Sequence, residues 1–469
     1  MIVSFQKTTA TVGRLVGLCK PKKFFLPYQA FTRGKISLSV GHAQDLVRQT
    51  VLFVMSDESS SHTARSPLSR PRTLVLCFDG TSSEYDGDNT NVVKFFSLLK
   101  KDNCDEQLCY YQAGIGTYFD PGVVSPLLRL GATLLDEAFA WYLSAHVVEG
   151  YRFIMQNYKP RDKICMFGFS RGAYTARALG GMLFKIGLLP RDNYEQIPFA
   201  YKLYKRTDKE GVELAAGFKD TYCTTVTVEF IGVWDTVSSV GFITNRTLPF
   251  TNSNSSVKTF RHALSLDERQ AKFRANLYHR PTASDNVSVA RKILDRVIGI
   301  FCRSGRPPGA MDPECSSESP STDVLEVWFA GWHGDVGGGA VSNSEPHSLG
   351  DISLRWMVRQ VMLAQCGILF RDEALTRLWD IPTASLPVPT KANESSLERD
   401  RQDAVMPLHD ELKFELKASH ILWWILEVIP MHYSWQDARD VWHTTFRANL
   451  GKGRFRTNIP YFMRLFCKG

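Results

Sequence analysis

KICMFGFSRGAYTARALGGMLF, residues 163–184, is the stretch that decides the fold. Lys163 to Phe167 is a short apolar run of strand character. Gly168-Phe169-Ser170-Arg171-Gly172 follows it, and Ala173, Ala176, Ala178 and Leu179 then continue as a helix from Gly172 to Phe184. A G-x-S-x-G between a strand and a helix has the form of a nucleophile elbow. The serine takes a strained turn, and the small residues two before and two after it relieve the crowding between strand and helix. The competing reading is a tight turn with an incidental serine.

Outward from this unit, strand-like and helix-like segments alternate, which predicts an α/β fold with a mostly parallel central sheet flanked by helices. Arg72 to Asp79 reads as a strand covered on both faces, and Asn89 or Thr90 as the cap of a helix carrying Val92, Phe95 and Leu98. Further strands are expected over Leu108–Gln112, Val226–Val233 and Val324–Ala330, and helices over Leu134–Tyr158 and Asp351–Gln365. Residues 251–258, 302–323 and 384–403 are polar and rich in Ser, Pro, Gly and charge. They read as surface insertions in one catalytic domain spanning 72–469.

Residues 1–54 hold eight basic residues and one acid, so they carry +7 of the net +8. The remainder is close to neutral, which argues against a nucleic-acid groove. Residues 1–71 thus read as a basic leader and polar linker. Three readings of the leader compete: an upstream extension ahead of Met55, with a cytoplasmic protein; a mitochondrial transit segment, to which its Ser, Thr and Arg content also conforms; or a membrane-surface or partner-binding segment. The ten cysteines form no CxxC pair or zinc-spaced cluster, which fits a reducing compartment. Apolar runs such as Ile421–Leu426 are far shorter than the ~20 residues that span a bilayer.

A serine hydroxyl needs a base and a group that orients it, in the hydrolase chain order Ser, acid, His. Val226–Val233 runs into Trp234-Asp235-Thr236, placing a carboxylate at the carboxyl end of the sheet, where catalysis collects. The alternative for Asp235 is a turn cap. His333 follows the strand Val324–Ala330 in a glycine-rich loop, Gly331 to Gly339, and is the expected base. His262, in a helix-like setting, is the main rival and reads as a core or capping histidine. The oxyanion needs donors, expected at the amide of Arg171 and in the loop Asp79-Gly80-Thr81. Asp79 either braces that loop or holds a cation with Asp335.

FDGT at residues 78–81 also suggests a haloacid-dehalogenase-type phosphatase, but Cys77 stands where the nucleophilic aspartate would be, which blocks a phosphoaspartate mechanism. The glycines at 337–339 match neither GxGxxG nor GxxxxGK[ST] in a strand-to-helix context. Ile421–Trp424 with Val428–Met431 reads either as a core helix or as an apolar lid that dips into acyl chains.

The blocks LVLCFDGT (74–81), NTNV (89–92), YYQAGIGT (110–117), GFSRGAYTARALGGML (168–183), FIGVWDTVSSVG (230–241) and WFAGWHGDVGGG (328–339) together resemble the type VI secretion phospholipase effector-like family. The resemblance runs from about Thr73 to at least Phe370, and WWILEVIP (423–430) is similar to the family's tail. It implies an α/β-hydrolase fold, a Ser-Asp-His triad carried over to Ser170, Asp235 and His333, and ester hydrolysis of phospholipids. The expectation is therefore a carboxylic ester hydrolase acting on a small ester or a lipid, with peripheral membrane contact, no cofactor, no metal and no nucleic acid. The alternative is a catalytically silent hydrolase-like binding or scaffold protein.

Overall fold

A computed structural model describes residues 71–80, 85–114, 132–237, 248–251, 254–278, 322–379, 394–410, 412, 424, 427–436 and 442–454. The chain separates into Met1–Ser69, so that the expected leader lies outside the described residues, and Arg70–Gly469, to which all structure below belongs.

Six parallel strands form the sheet: β1 (Thr73–Phe78), β2 (Gln107–Gln112), β3 (Lys163–Phe169), β4 (Val228–Trp234), β5 (Val257–Ser265) and β6 (Asp323–Phe329), in spatial order β2-β1-β3-β4-β5-β6. The fold is α/β, as expected. Successive side chains of β1 take opposite faces. Leu74, Leu76 and Phe78 join Ile164 and Met166 beneath α2 (Ala132–Asn157), α3 (Ser170–Ile186), α4 (Ile197–Lys205) and α5 (Lys209–Tyr222). Val75 and Cys77 join Cys165 and Phe167 on the other face, under α1 (Asn91–Leu98), α7 (Leu349–Ala364) and α8 (Asp372–Trp379). Burial on both faces explains why β1 and β3 are apolar throughout. Thr90 caps α1, its side chain accepting from the Val93 amide at 3.3 Å.

The chain leaves β1 for β2 in one direction and returns past β1 to β3. The order therefore switches between β1 and β3, and the carboxyl ends of strands at such a switch are where open α/β sheets bind ligands. Register does the rest. Phe169 pairs with Trp234, so Ser170 and Asp235, the next residue of each strand, leave the sheet at the same level. Trp234 pairs with Ala263, which brings Ser265 beside Asp235.

β5 is the main departure from the sequence reading, which had its first residues in a polar insertion and His262 in a helix-like segment. Arg261 and His262 interrupt the apolar pattern that marks a buried strand. Their partners come from β6: Arg261 pairs with Asp323, and His262 Nδ1 lies 2.9 Å from Glu326 Oε1. Thr251 and Asn254, read as insertion surface, are buried, and Arg177 Nε donates to the Thr251 carbonyl at 2.7 Å. Of 302–323, only residues 322 and 323 are described, and Asp323 opens β6.

Within 384–403, residues 384–393 lie outside the described residues, but Glu394–Ala404 forms a helix, α9, instead of a loose insertion. An ion pair docks it. The buried Arg355 of α7 donates to Asp400 at 2.7 Å and to Asp403, itself without exposure, at 2.5 Å. A hairpin of β7 (Met431–Gln436) and β8 (Trp442–Arg447) follows. Residues 421–423, 425 and 426 of the expected core or lid helix lie outside the described residues. Val428 and Ile429 are exposed and Met431 begins β7, so the core-helix reading does not extend through them.

Removing one member of a buried pair strands the other charge, at a cost of about 3–5 kcal/mol. Arg355→Met is expected to lose that much in equilibrium urea unfolding. A loss below about 1 kcal/mol would show the pair behaving like an exposed one.

Candidate active site

Ser170 stands between the last residue of β3 and the body of α3 with φ +57°, a left-handed conformation that side chains rarely adopt. Two glycines make the turn possible. A Cβ on Gly168 would lie 2.5 Å from the Gly172 carbonyl oxygen, and one on Gly172 would fall on the carbonyls of Phe78 and Asp79 at the end of β1. The spacing of the G-x-S-x-G thus has a steric cause on both sides of the serine.

The three residues expected to act together are brought together. Ser170 Oγ lies 2.8 Å from His333 Nε2, and His333 Nδ1 lies 2.6 Å from Asp235 Oδ2. A carboxylate only accepts, so Nδ1 carries the proton and Nε2 is left to accept from the serine. Ser170 and Asp235 are buried, and the His333 side chain is 13% exposed. His333 opens the five-residue helix α6 (His333–Gly337) beyond β6. Its ring is held between Phe169, at 4.6 Å between centroids, and Phe273, stacked at 4.6 Å and 12°. Glu268 Oε2 accepts from its backbone amide at 3.1 Å.

Asp235 also has a positive φ, +39°, and no solvent exposure. Its Oδ1 accepts from the Ser265 amide at 3.0 Å and from Arg454 Nη1 at 2.6 Å. Its Oδ2 accepts from Ser265 Oγ at 3.1 Å and from Arg454 Nη2 at 3.0 Å, besides His333. Burial alone would push this carboxyl up; the charge of Arg454 and the hydrogen bonds from His333 and Arg454 outweigh it and hold Asp235 well below the usual carboxylate range.

His262 is excluded from this line. Its Nε2 accepts from the Thr236 amide at 3.0 Å and its Nδ1 faces Glu326, so it is a core histidine, on a strand. Arg171 lies in the first turn of α3, where helix geometry leaves amides directed outward. Gly80 differs from expectation, because its amide donates to Asp79 Oδ1 at 2.7 Å and is not aimed at an oxyanion; Thr81 lies outside the described residues.

Asp79 braces its own loop, accepting also from Thr90 Oγ1 at 2.8 Å and Tyr111 OH at 2.7 Å. Asp335 is engaged elsewhere, by the Trp332 amide at 3.0 Å and by His409 Nδ1 at 2.7 Å. The two carboxylates thus have separate sets of partners, and no group of three potential metal ligands occurs among the described residues.

Sequence reasoning missed Glu268, Phe273, Ser265 and Arg454. Ser265 ends β5, which went unrecognised, and Leu266 to Phe273 (LDERQAKF) follow it; nothing around Gly451-Lys452-Gly453-Arg454 marks that arginine.

The family model described as T6SS, Phospholipase effector Tle1-like, catalytic domain, matches residues 72–360. An uncharacterized protein of Saccharomyces cerevisiae, YEL023C, is 26% identical over 544 aligned residues, covering 87% of this chain and 79% of that protein. Among solved structures, an uncharacterized protein from Pseudomonas aeruginosa aligns with 81% of this chain at 17% identity and a TM-score of 0.36, and the chain spans 59% of that structure's length.

Burial raises the Asp79 carboxyl from 3.8 to about 6, against the hydrogen bonds from Tyr111, Thr90 and Gly80. Between those values the folded protein holds a proton that the unfolded chain has released. The stability contributed by this group is therefore present below 3.8 and lost as pH rises through about 6. The unfolding free energy of the wild type minus that of Asp79→Asn is expected to fall by roughly 3 kcal/mol across that window. A flat difference by chemical denaturation would show that the carboxyl is not raised.

Proposed function

The chain belongs to the T6SS Tle1-like phospholipase effector family, and on that premise we propose that it is a serine hydrolase that cleaves carboxylic esters, the acyl esters of phospholipids among them. The observation that carries this reading is the continuous hydrogen-bonded line from Ser170 Oγ through the His333 ring to Asp235.

In the proposed reaction Ser170 Oγ attacks the ester carbonyl while its proton passes to His333 Nε2. Asp235 keeps the opposite ring nitrogen protonated and offsets the charge of the imidazolium. The Arg171 amide, at the start of α3, donates to the oxyanion, and the helix dipole adds to that stabilisation. His333 then protonates the departing alcohol, and water, activated by the same imidazole, hydrolyses the acyl-enzyme and restores the serine. Every proton is accounted for by one imidazole, and the residues in the line need no metal or organic cofactor.

A lipid substrate is supported by the family and by the exposed apolar side chains of Val428, Ile429, Phe446 and Leu450, a set suited to peripheral contact with a bilayer surface. No helix among the described residues is long and apolar enough to cross a membrane.

A fluorophosphonate probe is expected to label folded wild-type protein at Ser170. Ser170→Ala is expected to abolish labelling and lower ester turnover by about 10⁴-fold or more, with thermal unfolding nearly unchanged. A folded wild-type protein that the probe does not label would favour the catalytically silent scaffold instead. Equal turnover in the mutant would remove Ser170 as the nucleophile.

A further inference from the structure

The acid of the candidate triad has a charged partner that comes from beyond the matched residues 72–360. Arg454 Nη1 donates to Asp235 Oδ1 at 2.6 Å and Nη2 to Asp235 Oδ2 at 3.0 Å, a two-pronged pairing that fixes the plane of the carboxylate. The guanidinium is itself held. Nη1 also donates to the Ser265 carbonyl and hydroxyl, each at 2.8 Å, and Nη2 to the Phe273 carbonyl, which belongs to the residue stacked on His333. Its side chain is 10% exposed.

The backbone that delivers this arginine is stitched down as firmly. Glu427, buried, accepts from Asn449 Nδ2 at 2.6 Å, from the Gly451 amide at 2.9 Å and from the Ala271 amide. Asn449 Nδ2 also donates to the Arg269 carbonyl at 2.6 Å, and the Arg454 amide to the Glu268 carbonyl at 3.3 Å. Residues 449–454 therefore form a strap across residues 268–273, the segment whose Glu268 and Phe273 hold the base.

We propose that Arg454 is a positioning residue of the hydrolytic site, acting through Asp235 to set both the orientation of the His333 ring and the pH dependence of the reactivity of Ser170. The inference rests on the serine-hydrolase reading above.

The orientation follows from geometry. Without the fork, the fully buried carboxylate keeps only the two Ser265 donors and His333, and its plane, and with it the Oδ2 atom that aligns the ring, is held less tightly. The pH effect follows from charge. The guanidinium beside Asp235 holds that carboxylate ionised and offsets part of its negative field, so removing the charge is expected to move the acid limb of Ser170 reactivity upward. The other titratable groups near the pair are Glu268, which accepts from the His333 amide, and His262, two strands' width from Ser170 and paired with Glu326. Neither Glu268 nor His262 touches the Asp235 carboxylate among its hydrogen-bonding partners, so the charge opposing protonation there is that of Arg454.

The test is the rate at which a fluorophosphonate labels Ser170 in the full chain, as a function of pH, for wild type, Arg454→Gln and Arg454→Lys. The glutamine variant is expected to shift the acid limb upward by about one unit. It is also expected to lower the plateau rate by about tenfold or more through loss of alignment. The lysine variant keeps the charge and loses the fork, so it should hold the limb in place while its plateau falls. A glutamine variant with wild-type limb and plateau overturns the proposal, and so do limbs displaced equally in both variants, since only charge separates them. Should the glutamine variant fail a thermal-melt check of folding, the lysine variant decides: an undiminished plateau overturns the proposal. A wild-type protein that takes no label at all overturns the hydrolase reading itself, which is a separate outcome.

Discussion

A carboxylate with none of its surface in water is the constraint around which this molecule is organised. Moving such a charge out of solvent costs several kcal/mol even after relaxation, and only a complete set of donors offsets it. Asp235 receives five: the Ser265 amide and hydroxyl, both terminal nitrogens of Arg454, and His333 Nδ1. These come from the end of β5, from the strap of residues 449–454 and from the start of α6. The packing of segments nearly two hundred residues apart in the chain and the alignment of the imidazole are thus one event. The last of the five donors belongs to the ring whose other nitrogen reaches Ser170; the other four hold the carboxylate in place.

Two of the seven non-glycine residues with positive φ among the described residues stand at the same rim. Ser170 and Asp235 both hold left-handed backbone conformations, at the ends of adjacent strands whose register sets them level. Such conformations persist only where the surroundings over-determine them. For Ser170 the surroundings are Gly168, Gly172 and the carbonyl end of β1; for Asp235 they are the five donors and the Asp235 amide bound to the Ala263 carbonyl at 2.7 Å. The parallel sheet supplies the common origin, since all its strands present their carboxyl ends on one side. His333 needs no strain, because two aromatic rings confine it and the Glu268 carboxylate ties down its amide.

Much of this was legible in the residues. β1, β3, β4 and β6 and helices α1, α2, α3 and α7 follow from apolar runs and helical spacing, with boundaries off by one to a few residues. The seats of Ser170, Asp235 and His333 at three strand ends followed from the motifs there. β5 was hidden because Arg261 and His262 interrupt its pattern, and their acidic partners lie on a strand more than sixty residues onward. The helix Glu394–Ala404 was hidden for a like reason: it is polar in composition, and what docks it is a buried arginine on another helix.

What the chain's residues determine by themselves is the type of each element and the chemistry available at its end, because these depend on neighbours one to four positions away. Tertiary structure alone decided which charges meet. The partner of Asp235 is an arginine in an unremarked glycine-flanked segment, and the platform for His333 is a phenylalanine after an unrecognised strand. A buried ion selects its counter-ion by distance in space, and distance in space between remote segments is a property of the packed sheet, not of any local pattern.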